Sequence, residues 1–210
     1  MIIEEQLENL NLIVVKMANQ VVYNIKEAIE MYHEGKVEFI NDDIVNNYEK
    51  LVNEISLSVM VKTNPYARDL RIVTGILKLV SDLERIGDHA CDIMNFTSKL
   101  VDLKFDRNPN IRALSNLAIT MVEDAVKSFV NKDVDLAHEI IKRDDQADKL
   151  YDELIEWLVL ETNKKNDDAK FVIYTTLVVK YIERICDHAV NIAEWVIYID
   201  NGIYKDRKIF

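Results

Sequence analysis

Leu83-Glu84-Arg85-Ile86-Gly87-Asp88-His89-Ala90 returns ninety-nine residues later as Ile182-Glu183-Arg184-Ile185-Cys186-Asp187-His188-Ala189. Around the first copy, Ile72, Ile76, Leu79, Leu83, Ile86, Ala90 and Ile93 alternate gaps of four and three. Phe171, Val178, Ile182, Ile185, Ala189 and Ile192 stand in equivalent places around the second. That periodicity predicts a long helix with one buried seam in each copy. In the same register Glu84, Asp88 and Asp92 follow one another every four residues, as do Glu183, Asp187 and Asn191, and the expectation is that they face away from the core. Like charges so placed cost about 0.2 to 0.5 kcal/mol per pair, and folding requires only the apolar seam to recur. Glu, Arg, Asp, His and Ala all recur, so a constraint beyond core packing acts on this face.

Composition narrows the fold further. The 210 residues include four Gly and two Pro, and 49% of the chain is apolar, which suits a large helical core with few loops. The start, Met1-Ile2-Ile3-Glu4-Glu5-Gln6, has no basic segment before an apolar run, and no apolar run approaches the roughly 20 residues of a membrane span. The expectation is a soluble, cytoplasmic protein without membrane insertion. Cys91 and Cys186 fit neither zinc-finger spacing nor a disulfide framework. A net charge of -11 argues against a nucleic-acid partner and favours cations or a basic protein surface.

Taken in order, Leu10, Ile13, Val14, Met17, Val21, Ile25 and Ile29 stripe a first helix from about Glu4 to His33, ending near Gly35. A second is expected from about Val37 to Val61 through Ile40, Val45, Tyr48, Leu51, Ile55 and Val59. The third begins at Asn64-Pro65, read as a cap and a first helical residue, and carries the first motif to about Val101. Asp106-Arg107-Asn108-Pro109 is the internal boundary, and Asn108-Pro109 repeats the start signal. Helices then follow from about Ile111 to Val130, from about Asp133 to Glu161, and from beyond Asn166 to Asn201-Gly202. The reading is all-α: six long helices forming two tandem three-helix-bundle repeats, residues 1–106 and 107–210.

The repeat reaches the middle helices, where Asp42, Asp43, Val45 and Asn46 match Asp144, Asp145, Ala147 and Asp148 at an offset of 102. Short loops place each middle helix beside its motif helix, so acids from both converge. One candidate cation site is Asp42, Glu84, Asp88 and Asp92, with Asn46; the other is Asp144, Asp148, Glu183 and Asp187, with Asn191. Asp152, one turn beyond Asp148, extends the second stripe where Lys50 stands in the first. His89 and His188 lie about 100° round their helices from the preceding acids and are further candidates. Arg85 is expected to pair with Asp88 or Asp82, and Arg184 with Asp187.

With both copies and the stretch Ala67-Arg68-Asp69-Leu70-Arg71 in view, the chain resembles the PhoU family, helical regulators of bacterial phosphate uptake built from two three-helix repeats. The resemblance covers essentially the whole chain. It implies multinuclear iron or zinc clusters on acidic surface motifs, here Glu84 with Asp88, Glu183 with Asp187, and Asp144 with Asp148. It also implies a non-catalytic role that couples the ATPase subunit of a phosphate ABC transporter to a sensor histidine kinase and represses the phosphate-starvation response, and a homodimer is compatible with it. The chain departs from the family pattern at Asn46, where an acid is expected, and at Cys186, which stands in the place of Gly87 and reads as a packing residue. The oxygen donors themselves would also accept magnesium, manganese or calcium. No P-loop, Gly-rich phosphate loop or triad spacing is present. Two rival readings are a ferritin-like di-metal carboxylate oxidoreductase and a metal-free scaffold. The first wants paired Glu-x-x-His motifs, whereas only Glu30 to His33 fits.

Overall fold

The computed structural model describes residues 2–35, 40–62, 65–103, 108–162, 169–205 and 207–208. Among them run six helices: α1 (Ile2–Glu34), α2 (Asp43–Lys62), α3 (Ala67–Thr97), α4 (Pro109–Asn131), α5 (Val134–Glu161) and α6 (Ala169–Asn201). A two-residue hairpin, β1 (Ile203–Tyr204) with β2 (Arg207–Lys208), follows and was not anticipated. Gly202 (φ 81°) ends α6, and Lys205 (φ 49°) turns the hairpin. Tyr204 lies flat on Trp195 of α6, with ring centroids 3.9 Å apart.

Local chemistry explains most of the helix ends. Gly35 adopts φ 73° and its N–H donates to the Met31 carbonyl, closing α1 as the sequence predicts. Asn108 caps α4 through its side chain, which accepts from the Asn110 N–H, with Pro109 at the first helical position. Asp133 caps α5 by accepting from the Leu136 N–H. The matching signal at Asn64-Pro65 does not act in the same way: α3 is preceded by Tyr66, which gives no side-chain cap, and Pro65 stands outside the helix, while Asn64 lies outside the described residues. The second helix also starts later than its apolar pattern predicts. Asn41 accepts from the Asp43 N–H at 2.7 Å, which holds Asn41 and Asp42 in a turn, although Ile40 still reaches the core. Asp106 and Arg107 of the expected boundary also lie outside the described residues.

The predicted stripes are the buried ones. Leu10, Ile13, Val14, Met17, Val21, Ile25 and Ile29 are all buried, as are Ile76, Leu79, Leu83, Ile86, Ala90 and Ile93. In α2 the buried face is Val45, Val52, Ser56 and Val59, and Leu51 is exposed. Helices α1, α2 and α3 pack on one another, as do α4, α5 and α6; α3 against α6 and α1 against α4 join the two sets into one apolar core.

The α3–α6 contact is antiparallel, since Gly75 near the start of α3 meets Ile199 near the end of α6, and Phe96 stacks on Tyr174 at the other end. A Cβ at Gly75 would run into Ile199 Cγ1 and come within 2.8 Å of its Cδ1. Glycine here permits the helices' close approach. Arg71 spans the same end, donating from Nε to the Ile199 carbonyl (3.1 Å) and from Nη2 to the Asp200 carbonyl (2.8 Å). It thereby satisfies two carbonyls that the last turn of α6 leaves free.

Gly75→Ala should therefore destabilise the protein. Overpacking costs about 1–3 kcal/mol, from which about 1 kcal/mol of helix propensity must be subtracted. Urea unfolding of Gly75→Ala, Ile199→Ala and the double variant checks this: the loss at Gly75 should shrink in the Ile199→Ala background, and additive losses would show that the two residues do not clash.

Candidate functional site

The first acidic groove forms where the start of α2 crosses α3. The Asp42 carbonyl accepts from the Asn46 N–H, and its Oδ2 accepts from the Asn46 side-chain amide at 3.1 Å. The side chain is thereby laid over Gly87, where a Cβ would come within 2.9 Å of Asp42 Oδ1 and 3.2 Å of Val45 Cγ1. Asp42 thus sits beside Glu84 and Asp88. Burial, then the Asp88 charge, raises the Asp42 carboxyl above its ordinary range. Glu84 is raised by burial, then by Asp88, with Glu49 also contributing. Arg85 offsets part of this charge: Nη1 donates to Asp88 Oδ2 at 3.1 Å, and Nε stands 3.5 Å from Glu84 Oε2. Glu49 was not among the sequence candidates, although its place seven residues beyond Asp42 is the signal that could have found it.

The second groove repeats the plan where α5 crosses α6. Burial lifts Asp144 to about 6, reinforced by Asp148, Asp187 and Glu183. Burial and Glu183 raise Asp187, against a lowering by Lys180. Lys180 donates to Glu183 Oε2 at 2.6 Å and lies over the Tyr151 ring. Lys180 therefore supplies the cation expected from Arg184, whose side chain is exposed and makes no ion pair with Asp187 among the described residues. Cys186 is fully buried, and burial followed by the Asp144 charge pushes its thiol up, so it stays protonated and packs. It replaces Gly87 while Ala147 replaces Val45, both buried, so bulk lost on one helix is regained on the other.

The acids divide: Asp148 and Asp187 are exposed, as expected, whereas Asp42, Glu84, Asp88 and Asp144 are half-buried and Glu183 is only 9% exposed, with α2 and α5 packed beside the stripes. Asp42 Oδ1 and Asp144 Oδ1 are buried and accept no hydrogen bond among the described residues. These are corresponding atoms of the two repeats. Buried carboxylate oxygens without donors, crowded by further carboxylates, suit a cation. As they stand, no group of three or more His, Cys, Asp or Glu side chains among the described residues converges closely enough to hold a metal ion.

Helical drift removes other candidates from the grooves. Four residues advance about 400°, so each step of four turns about 40° and two steps about 80°. Asn191, two steps beyond Glu183, accordingly points into the α3–α6 seam and donates to Asp82 Oδ1 at 3.2 Å. His188 Nδ1 lies 2.8 Å from the same oxygen, and Trp195 Nε1 donates to Asp82 Oδ2 at 3.0 Å. This triple engagement also keeps Asp82 from the pairing expected with Arg85. In the pseudo-symmetric place Tyr181 packs against His89 and Phe96, and its hydroxyl lies near the Asp92 carboxylate. Asp92 thus reaches the seam too, though it still feels Asp88. His89 is buried with neither ring nitrogen hydrogen-bonded to a described residue, and burial together with His188 depresses it to about 4. Asp152 is exposed one turn past the second groove.

Comparison with known proteins bears on the whole chain. The PhoU domain profile matches residues 14–97 and again 111–196. A phosphate-specific transport system accessory protein PhoU homolog of Clostridium acetobutylicum is 33% identical, over 98% of this chain and 97% of its own. One from Aquifex aeolicus is also 33% identical, over 98% and 96%. The crystal structure of PhoU from Pseudomonas aeruginosa superposes with a TM-score of 0.90 at 28% identity, covering 95% of this chain and 99% of that one.

Asp144 and His89 give opposite pH signatures. A carboxyl raised to about 6 stabilises the fold when protonated, a contribution complete below its ordinary 3.8 and lost as pH climbs through about 6. An imidazole lowered to about 4 stabilises the fold above its ordinary 6.5, and this is lost as pH falls toward 4. In chelator-treated protein, Asp144→Asn should therefore gain Tm relative to the parent as pH rises from about 4 to 7. Thermal melts across that range check it; a constant difference would show that the Asp144 proton is not coupled to folding.

Proposed function

The chain belongs to the PhoU family, and on that premise we propose that it is a cytoplasmic regulator of phosphate uptake and phosphate-starvation signalling. In this reading it couples the ATPase subunit of a phosphate ABC transporter to a sensor histidine kinase. The observation that carries it is end-to-end likeness to relatives named as phosphate-transport accessory proteins. None of the described helices is long and apolar enough to cross a membrane. Glu30, half of the lone Glu-x-x-His, is paired with Arg112, which disfavours the oxidoreductase reading.

The acidic grooves are the cation sites of this regulator. Asp42, Glu84 and Asp88, with Glu49, would hold metal in the first repeat, and Asp144, Asp148, Glu183 and Asp187 in the second. Iron and zinc follow from the family resemblance, while oxygen-only donors keep magnesium, manganese and calcium open. A bound cation supplies charge neutralisation, joining each outer helix to its motif helix. The second groove binds more tightly: Arg85 already stands against two acids of the first, Lys180 bonds one acid of the second, and Asp152 follows where Lys50 stands in the first.

Immobilised protein should retain the transporter ATPase or the cytoplasmic part of the kinase, and deletion of the gene should derepress phosphate-starvation genes. Unchanged phosphate regulation in the deletion strain would count against the coupling role. Separately, elemental analysis of untagged protein, followed by titration of Glu84→Gln/Asp88→Asn and Glu183→Gln/Asp187→Asn variants, tests the grooves. The second variant should lose the tighter phase; its loss from the first would reverse the ranking, and protein that takes up no metal would remove the sites.

A further inference from the structure

Away from both acidic grooves, the start of α3 and the end of α6 enclose an open cavity of about 490 Å³. Among the described residues its charged lining is cationic: Arg68, Arg71 and Lys78. In a chain with 37 acids against 26 Lys and Arg, that local reversal calls for a cause. Arg71 is already fixed by the Ile199 and Asp200 carbonyls, with Nη1 beside Gly202. Arg68 and Lys78 form no ion pair with any described residue. The neighbouring acids among the described residues are Asp69, next in the chain; Asp82, one turn beyond Lys78 and bonded to Trp195; Glu194, 3.5 Å from Lys205 Nζ; and Asp200, which lines a smaller adjoining cleft of about 50 Å³ with Arg68.

The remaining wall is apolar and held in place. Trp195 is fixed by its bond to Asp82 and by the Tyr204 ring, and Tyr198, nearly buried, meets Trp195 edge-on with centroids 5.8 Å apart. Leu70 is 41% exposed at the rim. A bare oxyanion would leave most of this space unfilled, because cavities of roughly 300–1,000 Å³ are those that enclose whole small organic molecules. Guanidinium groups favour phosphate oxygens, and aromatic walls favour a flat ring.

We propose that this cavity binds an organic phosphate carrying an aromatic ring, of mononucleotide size, with Arg68 on the phosphate at one end and, about 15 Å along α3, Lys78 and Trp195 beside the ring at the other. The site is independent of the acidic grooves and of the regulatory reading.

Calorimetric titration with AMP and ATP in chelator, and with inorganic phosphate alone, tests it. Binding of either nucleotide should saturate below millimolar concentration, exceed that of inorganic phosphate at least tenfold, and weaken at least tenfold in Arg68→Ala/Lys78→Ala. Trp157→Phe leaves Trp195 as the sole indole, and its fluorescence should respond to the nucleotide. Circular dichroism should show the double variant folded, and Arg68→Gln/Lys78→Gln gives a second variant if it is not. Absent nucleotide binding, binding equal in the folded variant, or inorganic phosphate binding as tightly would each overturn the proposal.

Discussion

The antiparallel seam between α3 and α6 is the constraint on which the other features rest. Gly75 lets the helices approach, and Asp82 fills the polar middle of the seam by accepting from His188, Asn191 and Trp195. A carboxylate with three donors in such a place is a strongly specified contact, because a shift of either helix would strand it. Each motif helix is then covered by its seam partner and by the first helix of its own set. What remains is a strip that α2 or α5 overlies, and there the recurring acids are gathered.

Gathering them has an electrostatic cost that the molecule only partly offsets. Asp42, Glu84, Asp144 and Asp187 are all raised, with burial the largest cause in each case. Arg85 and Lys180 neutralise some of this charge, yet two buried oxygens in corresponding positions accept no bond from described residues. Unpaired buried charge of this kind destabilises folds, so its repetition is not accounted for by folding.

Apolar periodicity made the helices and their buried stripes legible, because burial is decided residue by residue along a helix. Site geometry was legible only over short spans. Glu84 with Asp88, one step of four apart, stay in one groove, whereas extension of that stripe to Asp92 and Asn191 ignored the drift that carries them into the seam. Asp82 gave little local signal, since its partners lie more than a hundred residues away. The Asn-Pro signal succeeded at Asn108, where the side chain reaches a backbone N–H, but Tyr66 takes the corresponding place before α3. The hairpin after α6 was missed because two-residue strands carry no readable alternation.

The exchange of bulk between Val45 over Gly87 in one half and the buried Ala147 and Cys186 at the matching positions of the other bears on the ancestry of the chain. Tandem duplication creates long stretches of DNA that can recombine with each other, and crossovers between halves tend to homogenise them. Here a crossover that paired the α2 of one half with the motif helix of the other would set Val against Cys, or Ala against Gly, giving a clash in one product and a void in the other. On this packing a single helix taken from one half fits the other poorly, which would disfavour such crossovers.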